Sequence, residues 1–140
     1  MYSTVLLIHS WLRWLALGGG IATTLAPRRR SALITMIALD LQMALGLLLY
    51  LVVSPNMAEI RAHFAEAMQN AQLRFWAVEH ITAMFGAVIL AHVGNVLART
   101  TTSVDAQRKR LVIAFGIATV LMIAGMPWPG LPYGRALFRF

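Results

Sequence analysis

The residues with the clearest capacity for chemistry are ionisable side chains that interrupt long apolar segments. His9 and Arg13 lie in the apolar run 5–25, and Glu79 and His80 lie near the start of another such run. An ionisable side chain inside hydrocarbon costs about 2.5 kcal/mol or more, so it usually marks a functional site or a buried pair. Two imidazoles on two such segments can share one ligand, above all the iron of a haem.

Four apolar runs dominate the chain and must position these side chains. The 140 residues are 59% hydrophobic and 12% charged, with a mean hydropathy of +0.70. Because soluble domains carry about 25% charged residues, a membrane protein is expected. Each run approaches the roughly 20 residues that cross a bilayer. The runs cover residues 5–25, 32–53, 75–97 and 111–126.

The expected fold is all-α: a single integral membrane four-helix bundle over residues 1–140. Short connections favour antiparallel neighbours. The loops after the first and third helices hold seven of the twelve Lys and Arg residues: Arg28, Arg29, Arg30, Arg99, Arg108, Lys109 and Arg110. The positive-inside rule therefore places these two loops in the cytoplasm and both termini on the extracytoplasmic side.

The loop between the second and third helices and the C-terminal tail are both expected at the outer interface. Apolar residues recur at three- and four-residue steps within residues 56–70, at Met57, Ile60, Phe64 and Met68. This pattern predicts a short amphipathic interfacial helix. The tail, residues 127–140, is rich in aromatic residues and proline and is typical of an interfacial belt.

Composition also excludes several classes of protein. The chain has no cysteine, which excludes disulfides, thiolate metal sites and covalent haem attachment. No nucleophile elbow, phosphate-binding loop or dinucleotide fingerprint occurs. The net charge of +7 lies in the loops, as membrane topology requires, so a nucleic-acid partner is not expected.

The predicted topology brings His9 and His80 to one depth. Both lie roughly 6–9 Å below the outer surface at 1.5 Å per residue, although their helices run in opposite directions. We therefore predict that they are the axial ligands of a non-covalent haem b. Arg74, one to two turns outward of His80, would meet a propionate. The alternative is that each imidazole hydrogen-bonds a neighbouring helix.

Two further groups of polar residues have both a structural and a functional interpretation. Arg13 and Glu79 could form a structural ion pair between helices, or steer a propionate, a quinone or a proton. Farther from the outer surface, Asp40, Gln42 and His92 could form a proton relay or a quinone site, or a satisfied buried cluster. His63 is expected to be solvated.

Several sequence blocks resemble a family of small bacterial four-helix membrane proteins labelled cytochrome B or cytochrome b-like. The blocks are IHSWLRW at 8–14, LDLQMALGLLLYLVVSP at 39–55, LRFWAVEHITAM at 73–84 and MPWP at 126–129. The resemblance implies a b-type haem in the bacterial inner membrane. It carries over to His9 and His80, with Arg13 and Glu79 in the same blocks.

The function expected from the sequence is membrane electron transfer, as a small subunit of a respiratory or photosynthetic complex. Its redox partner would be a quinol or a cytochrome c, and its other partners the bilayer and larger subunits. The first alternative is a haem-free structural accessory subunit. The second is a small porphyrinogen-oxidising enzyme, although the blocks above do not resemble such enzymes closely; a carrier or accessory subunit is expected rather than a stand-alone enzyme.

Overall fold

The computed structural model describes residues 1–138, and Arg139 and Phe140 of the predicted tail lie outside them. Helices account for nearly all regular structure, and the described residues contain no strand, which confirms the all-α prediction. The helices are α1 (Tyr2–Leu25), α2 (Arg29–Leu48), α3 (Pro55–Ala62), α4 (Phe64–Gln69), α5 (Ala71–Arg74), α6 (His80–Arg99) and α7 (Val104–Ala124).

Two π-helical segments extend the long helices at the same end of the molecule. Leu49–Val53 continues α2, and Phe75–Glu79 joins α5 to α6. With these extensions the described residues form three helices long and apolar enough to cross a membrane: Tyr2–Leu25, Arg29–Val53 and Ala71–Arg99. The predicted spans 5–25, 32–53 and 75–97 fall within them.

The last long helix, α7, begins seven residues earlier than the predicted run 111–126. Ser103 caps it by accepting a hydrogen bond from the amide of Ala106, and Asp105 lies in its first turn. A serine cap followed by an acidic residue stabilises a helix N-terminus, so the basic half of the predicted loop is helical. The three basic residues 108–110 therefore lie on α7, and the apolar part of this helix that follows them is short.

Where one interfacial helix was predicted over 56–70, the structure has two short ones. The chain leaves helical geometry at His63, whose φ and ψ are −128° and 50°. Met57 and Ile60 are buried against Tyr50 and Trp76, while most other side chains of α3 and α4 are exposed. The segment is therefore amphipathic, as expected, and is held by this apolar contact and by the hydrogen bond from Arg61 to the Tyr50 carbonyl.

The four long helices pack around a core of small side chains. Each of α1 and α6 packs against α2 and α7, so that α1 and α6 lie on opposite sides of the core. Residues early in α1 contact residues late in α2, and the start of α6 contacts the end of α7. Six alanines of the core are at most 1% exposed: Ala16, Ala32, Ala87, Ala91, Ala98 and Ala118. Small interfacial residues let membrane helices approach closely.

Most large apolar side chains of the long helices point outward. Ile34, Leu15 and Val120, for example, are 62%, 59% and 63% exposed. Water would disfavour such a surface, whereas the lipid of a bilayer solvates it without cost. This distribution agrees with the spans identified by length and composition.

The closest helix contact in the core lies between α6 and α7, at Gly94. A Cβ at this position would overlap the Cβ of Ala114, whereas a Cβ at Gly18 would meet no described atom within 4 Å. Overpacking costs about 1–3 kcal/mol. We expect Gly94→Val to lower the thermal unfolding midpoint in detergent, followed by tryptophan fluorescence, and Gly18→Val to change it little. Equal midpoints for the two variants would contradict this packing.

Candidate functional site

His9 and His80 meet in the interior of the bundle, at the end where α1 begins and α7 ends. Their ring centroids are 6.5 Å apart, and the ring planes are inclined at 67°. The two residues come from α1 and from the first position of α6, which lie on opposite sides of the core. The structure thus brings together the two imidazoles that the sequence placed at one depth.

A backbone carbonyl sets the orientation of His80. Its Nδ1 lies 2.7 Å from the oxygen of Gly125, at the end of α7. A carbonyl can only accept, so Nδ1 carries the proton and, in the neutral ring, the Nε2 lone pair is available. Histidines that ligate metals commonly donate their other ring N–H to such a carbonyl.

The π-helical segment before His80 places two aromatic rings beside this imidazole. Phe75 and Trp76 have their ring centroids 5.8 and 5.5 Å from that of His80. A π turn inserts one extra residue into a helix and is frequent at functional sites. Here it lets Phe75 and Ala77 both be buried at the turn that precedes the histidine.

Gln42 on α2 orients His9, which corrects the prediction that it joins Asp40 and His92. Its amide nitrogen donates to the His9 carbonyl at 3.0 Å and lies 3.1 Å from the His9 Nε2. Within residues 1–138 no group hydrogen-bonds the buried His9 Nδ1 or the buried Gln42 Oε1. Buried polar atoms usually have partners, so these two atoms point to a bound molecule in the interior.

A glycine gives the His9 ring its room. A Cβ added at Gly46 would lie 3.2 Å from the His9 Cε1. That spacing is tighter than ordinary van der Waals contact, so even an alanine would press on the imidazole.

A narrow cavity of about 130 Å³ joins the two imidazoles. It runs along α1 from Tyr2 to Leu17, roughly 22 Å at 1.5 Å per residue. Its inner part is apolar, lined by Leu17, Leu39, Met84, Val88, Met122 and Met126. Besides the histidines, two cationic side chains line it, Arg13 and Arg135. The cavity is therefore an apolar slot with imidazoles across it and guanidinium groups along it.

The C-terminal tail folds back over the bundle and contributes Arg135. Tyr133 stacks on Phe75, with ring centroids 3.7 Å apart and planes within 4°. The Arg135 guanidinium lies 4.3 Å from the ring centroid of Trp76. Sequence reasoning assigned the tail to an aromatic belt and missed Arg135. The available signal was the turn-forming Gly130, whose φ of 92° helps reverse the chain.

Arg13, Arg74 and Glu79 are arranged differently from the prediction. Arg74 pairs with Glu79 at 2.8 Å, and both side chains are 45% exposed and outside the cavity. Arg13 instead donates to the backbone oxygen of Leu137 at 2.6 Å. The predicted Arg13–Glu79 pair is therefore wrong, because Glu79 has a nearer cation five residues away on its own helix. Arg74 does not reach the imidazoles.

The other histidines lie apart from this cavity. His92 contacts Asp40 at 2.8 Å on the outer surface of the bundle, and His63 is exposed at the break between α3 and α4. In the part of the chain that the structure describes, no group of three or more His, Cys, Asp or Glu side chains could hold a metal ion. Any metal at the His9–His80 pair would need further ligands from a cofactor.

No family model matches the chain, and neither a curated protein nor a solved structure is similar to it. The resemblance of the sequence blocks to cytochrome b-like proteins stays a prediction. The interpretation of the cavity therefore rests on its geometry.

The stack of Tyr133 on Phe75 should hold the tail over the cavity. Aromatic pairs contribute about 0.5–1.5 kcal/mol beyond their buried area, so Tyr133→Ala should raise the open population of the tail about 2- to 12-fold. The measurement is the rate of tryptic cleavage after Arg135 in the full chain. Leu131→Ala, at a half-exposed neighbouring position, should leave that rate unchanged. Equal rates in both variants would show that the stack does not hold the tail.

Proposed function

We propose that this protein is a membrane electron-transfer protein that binds one non-covalent haem b between His9 and His80. The observation that carries the proposal is the 6.5 Å separation of the two ring centroids inside an apolar slot. Imidazole nitrogens bind metals at about 2 Å, so two imidazoles on one metal have ring centres roughly 6 Å apart. Direct hydrogen bonding between the rings would bring them closer.

The lining of the cavity also supports this proposal, and the cavity of about 130 Å³ would widen to take the macrocycle. The slot is long and narrow and its inner part is apolar, as a flat macrocycle requires, and Gly46 leaves the His9 ring uncrowded. Arg13 and Arg135 are the cations that would pair with the two propionates, in place of the predicted Arg74. When bound, haem b supplies a reversible one-electron couple at its iron.

The chain's own residues would hold and shield that group. The Gly125 carbonyl fixes the proton of His80 on Nδ1, and the Gln42 amide nitrogen donates to the His9 backbone carbonyl, which ties α2 to the turn of α1 that carries the second imidazole. Aliphatic side chains and methionines exclude water from the inner part of the slot. Low polarity, axial imidazoles and charge pairing with propionates are the means by which a protein tunes haem potential.

We further propose an antiparallel four-helix membrane bundle in the bacterial inner membrane, with both termini outside. Support comes from α7, which packs along α1 and α6 with apolar side chains outward, and from the basic residues at one end of the bundle. The haem would then lie near the outer face. There an extracytoplasmic cytochrome c or a quinol could exchange electrons with it, within a larger respiratory or photosynthetic complex.

The alternative, a haem-free accessory subunit, is supported by one observation. The Gln42 amide nitrogen already lies within hydrogen-bonding distance of the His9 Nε2. In that function the imidazoles, Gln42 and Gly125 form an interhelical network, and the protein is folded and colourless.

Removal of either imidazole should abolish haem binding. The full chain, purified in mild detergent after expression with haem available, should show a reducible b-type absorption spectrum. We expect His9→Ala and His80→Ala to lose the bands and His63→Ala, at an exposed position, to keep them. Circular dichroism checks that each variant is helical. A helical but colourless wild type would refute haem binding and favour the accessory function.

The two cavity arginines give a second test. Hydrogen bonds to charged groups contribute about 1.5–3 kcal/mol, so Arg135→Leu should weaken haem retention about tenfold or more. Haem transfer to a soluble acceptor protein measures this retention. Arg135→Lys should restore part of it, because the charge is kept. Arg74→Leu is the matched control and should retain haem like the wild type. A greater loss of haem from Arg74→Leu than from Arg135→Leu would show that Arg74 pairs with the propionate, as the sequence predicted.

A further inference from the structure

The Asp40–His92 pair is a polar group on the outward surface of two membrane-crossing helices. Asp40 Oδ1 and His92 Nε2 are 2.8 Å apart, and the two side chains are 43% and 47% exposed. Asp40 lies eleven residues, about 16 Å, from the start of α2, and His92 lies seven residues, about 10 Å, from the end of α6. Neither residue lines the central cavity.

The surface around this pair is apolar. Ile37 and Leu41 on α2, and Ile89 and Val96 on α6, are 49%, 55%, 57% and 47% exposed. Ile37, Ile89 and Val96 lie three or four positions from Asp40 or His92 and so on the same side of their helices, and Leu41 directly follows Asp40. Ionisable groups within membrane helices almost always face a protein interior or a water-filled cavity. A half-exposed pair in an apolar surface is therefore incomplete without a polar partner.

The pair retains unused hydrogen-bonding capacity. Among residues 1–138, the side chains of Asp40 and His92 hydrogen-bond only each other. In the net-neutral pair, where one proton is shared between Asp40 Oδ1 and His92 Nε2, Asp40 Oδ2 remains an acceptor and His92 Nδ1–H remains a donor. The exposed edge thus presents an acceptor and a donor side by side at one level.

We propose that a second copy of this chain covers the face, in a twofold dimer whose axis runs along the membrane normal. Two copies related by such an axis face each other with their left and right sides exchanged. The His92 of each copy therefore meets the Asp40 of the other, and the face is complementary to itself, as an isologous interface requires. Hydrogen bonds between polar side chains are a main source of association between membrane helices. Apolar side chains on both sides of the pair complete the contact.

Introduced cysteines can test this dimer, because the natural chain has none. Ile89→Cys places one thiol on the proposed face. Ile117→Cys places one on α7, where Ile117 is 49% exposed; contacts of Gly94 with Ala114 and of Gly86 with Leu121 show that the two positions lie at matched depth. Each full-length variant is reconstituted in liposomes at low protein-to-lipid ratio, treated with a lipid-soluble bis-maleimide that spans more than one helix diameter, about 10 Å, and analysed for cross-linked dimer.

The proposal expects a dimer band at least tenfold stronger for Ile89→Cys than for Ile117→Cys. Adding Asp40→Leu with His92→Leu removes both members of the pair together and should abolish most of the Ile89→Cys dimer. Circular dichroism and the thermal midpoint verify that this triple variant is folded. Equal bands at the two positions, no band, or a band unaffected by the leucine substitutions would overturn the proposal; a lipid-soluble ligand or a different subunit would then be the occupant of the face. The outcome is independent of haem.

Discussion

The arrangement of this protein depends on one constraint: hydrocarbon offers no hydrogen bonds, so every polar group inside the bundle must find its partner within the protein. His80 satisfies it with the carbonyl of Gly125, which ties the start of α6 to the end of α7. Thr23 and Thr35 satisfy it together between α1 and α2. Each bond joins two helices, so meeting the polar requirement also selects which helices are neighbours.

The same constraint separates the interior site from the rest of the chain. Where a local partner was available, as for Arg74 and Glu79, the charges pair within one continuous helix and remain at its exposed surface. Where none was available, as for His9, the side chain turns inward and one ring nitrogen is left without a partner among residues 1–138. The cavity is thus lined by the groups that could not be satisfied locally.

Periodicity and composition were enough to predict the helical class and the spans that begin at Tyr2 and Arg29, because apolar length is a local property of the sequence. Equal depth of His9 and His80 could also be predicted, since depth follows from residue counts once loop charges set the direction. Helix rotation could not be predicted: it decides that Gln42 faces His9 while Asp40, two residues earlier, faces outward. The place of Arg135 depends on a chain reversal in the tail, which residue spacing along helices does not describe.

The π-helical segment 75–79 has a consequence for how this chain can change. One helical residue corresponds to a rotation of about 100°, and a π turn already holds one residue more than an α-helix needs. A π turn absorbs its extra residue within about one full turn, so a single deletion there would regularise the helix with little change in the directions of Phe75 and Trp76, and His80 would keep its bond to Gly125. This five-residue stretch is therefore a place where the chain can lose one residue while the aromatic surroundings of the imidazole and the packing of the helices below it are kept.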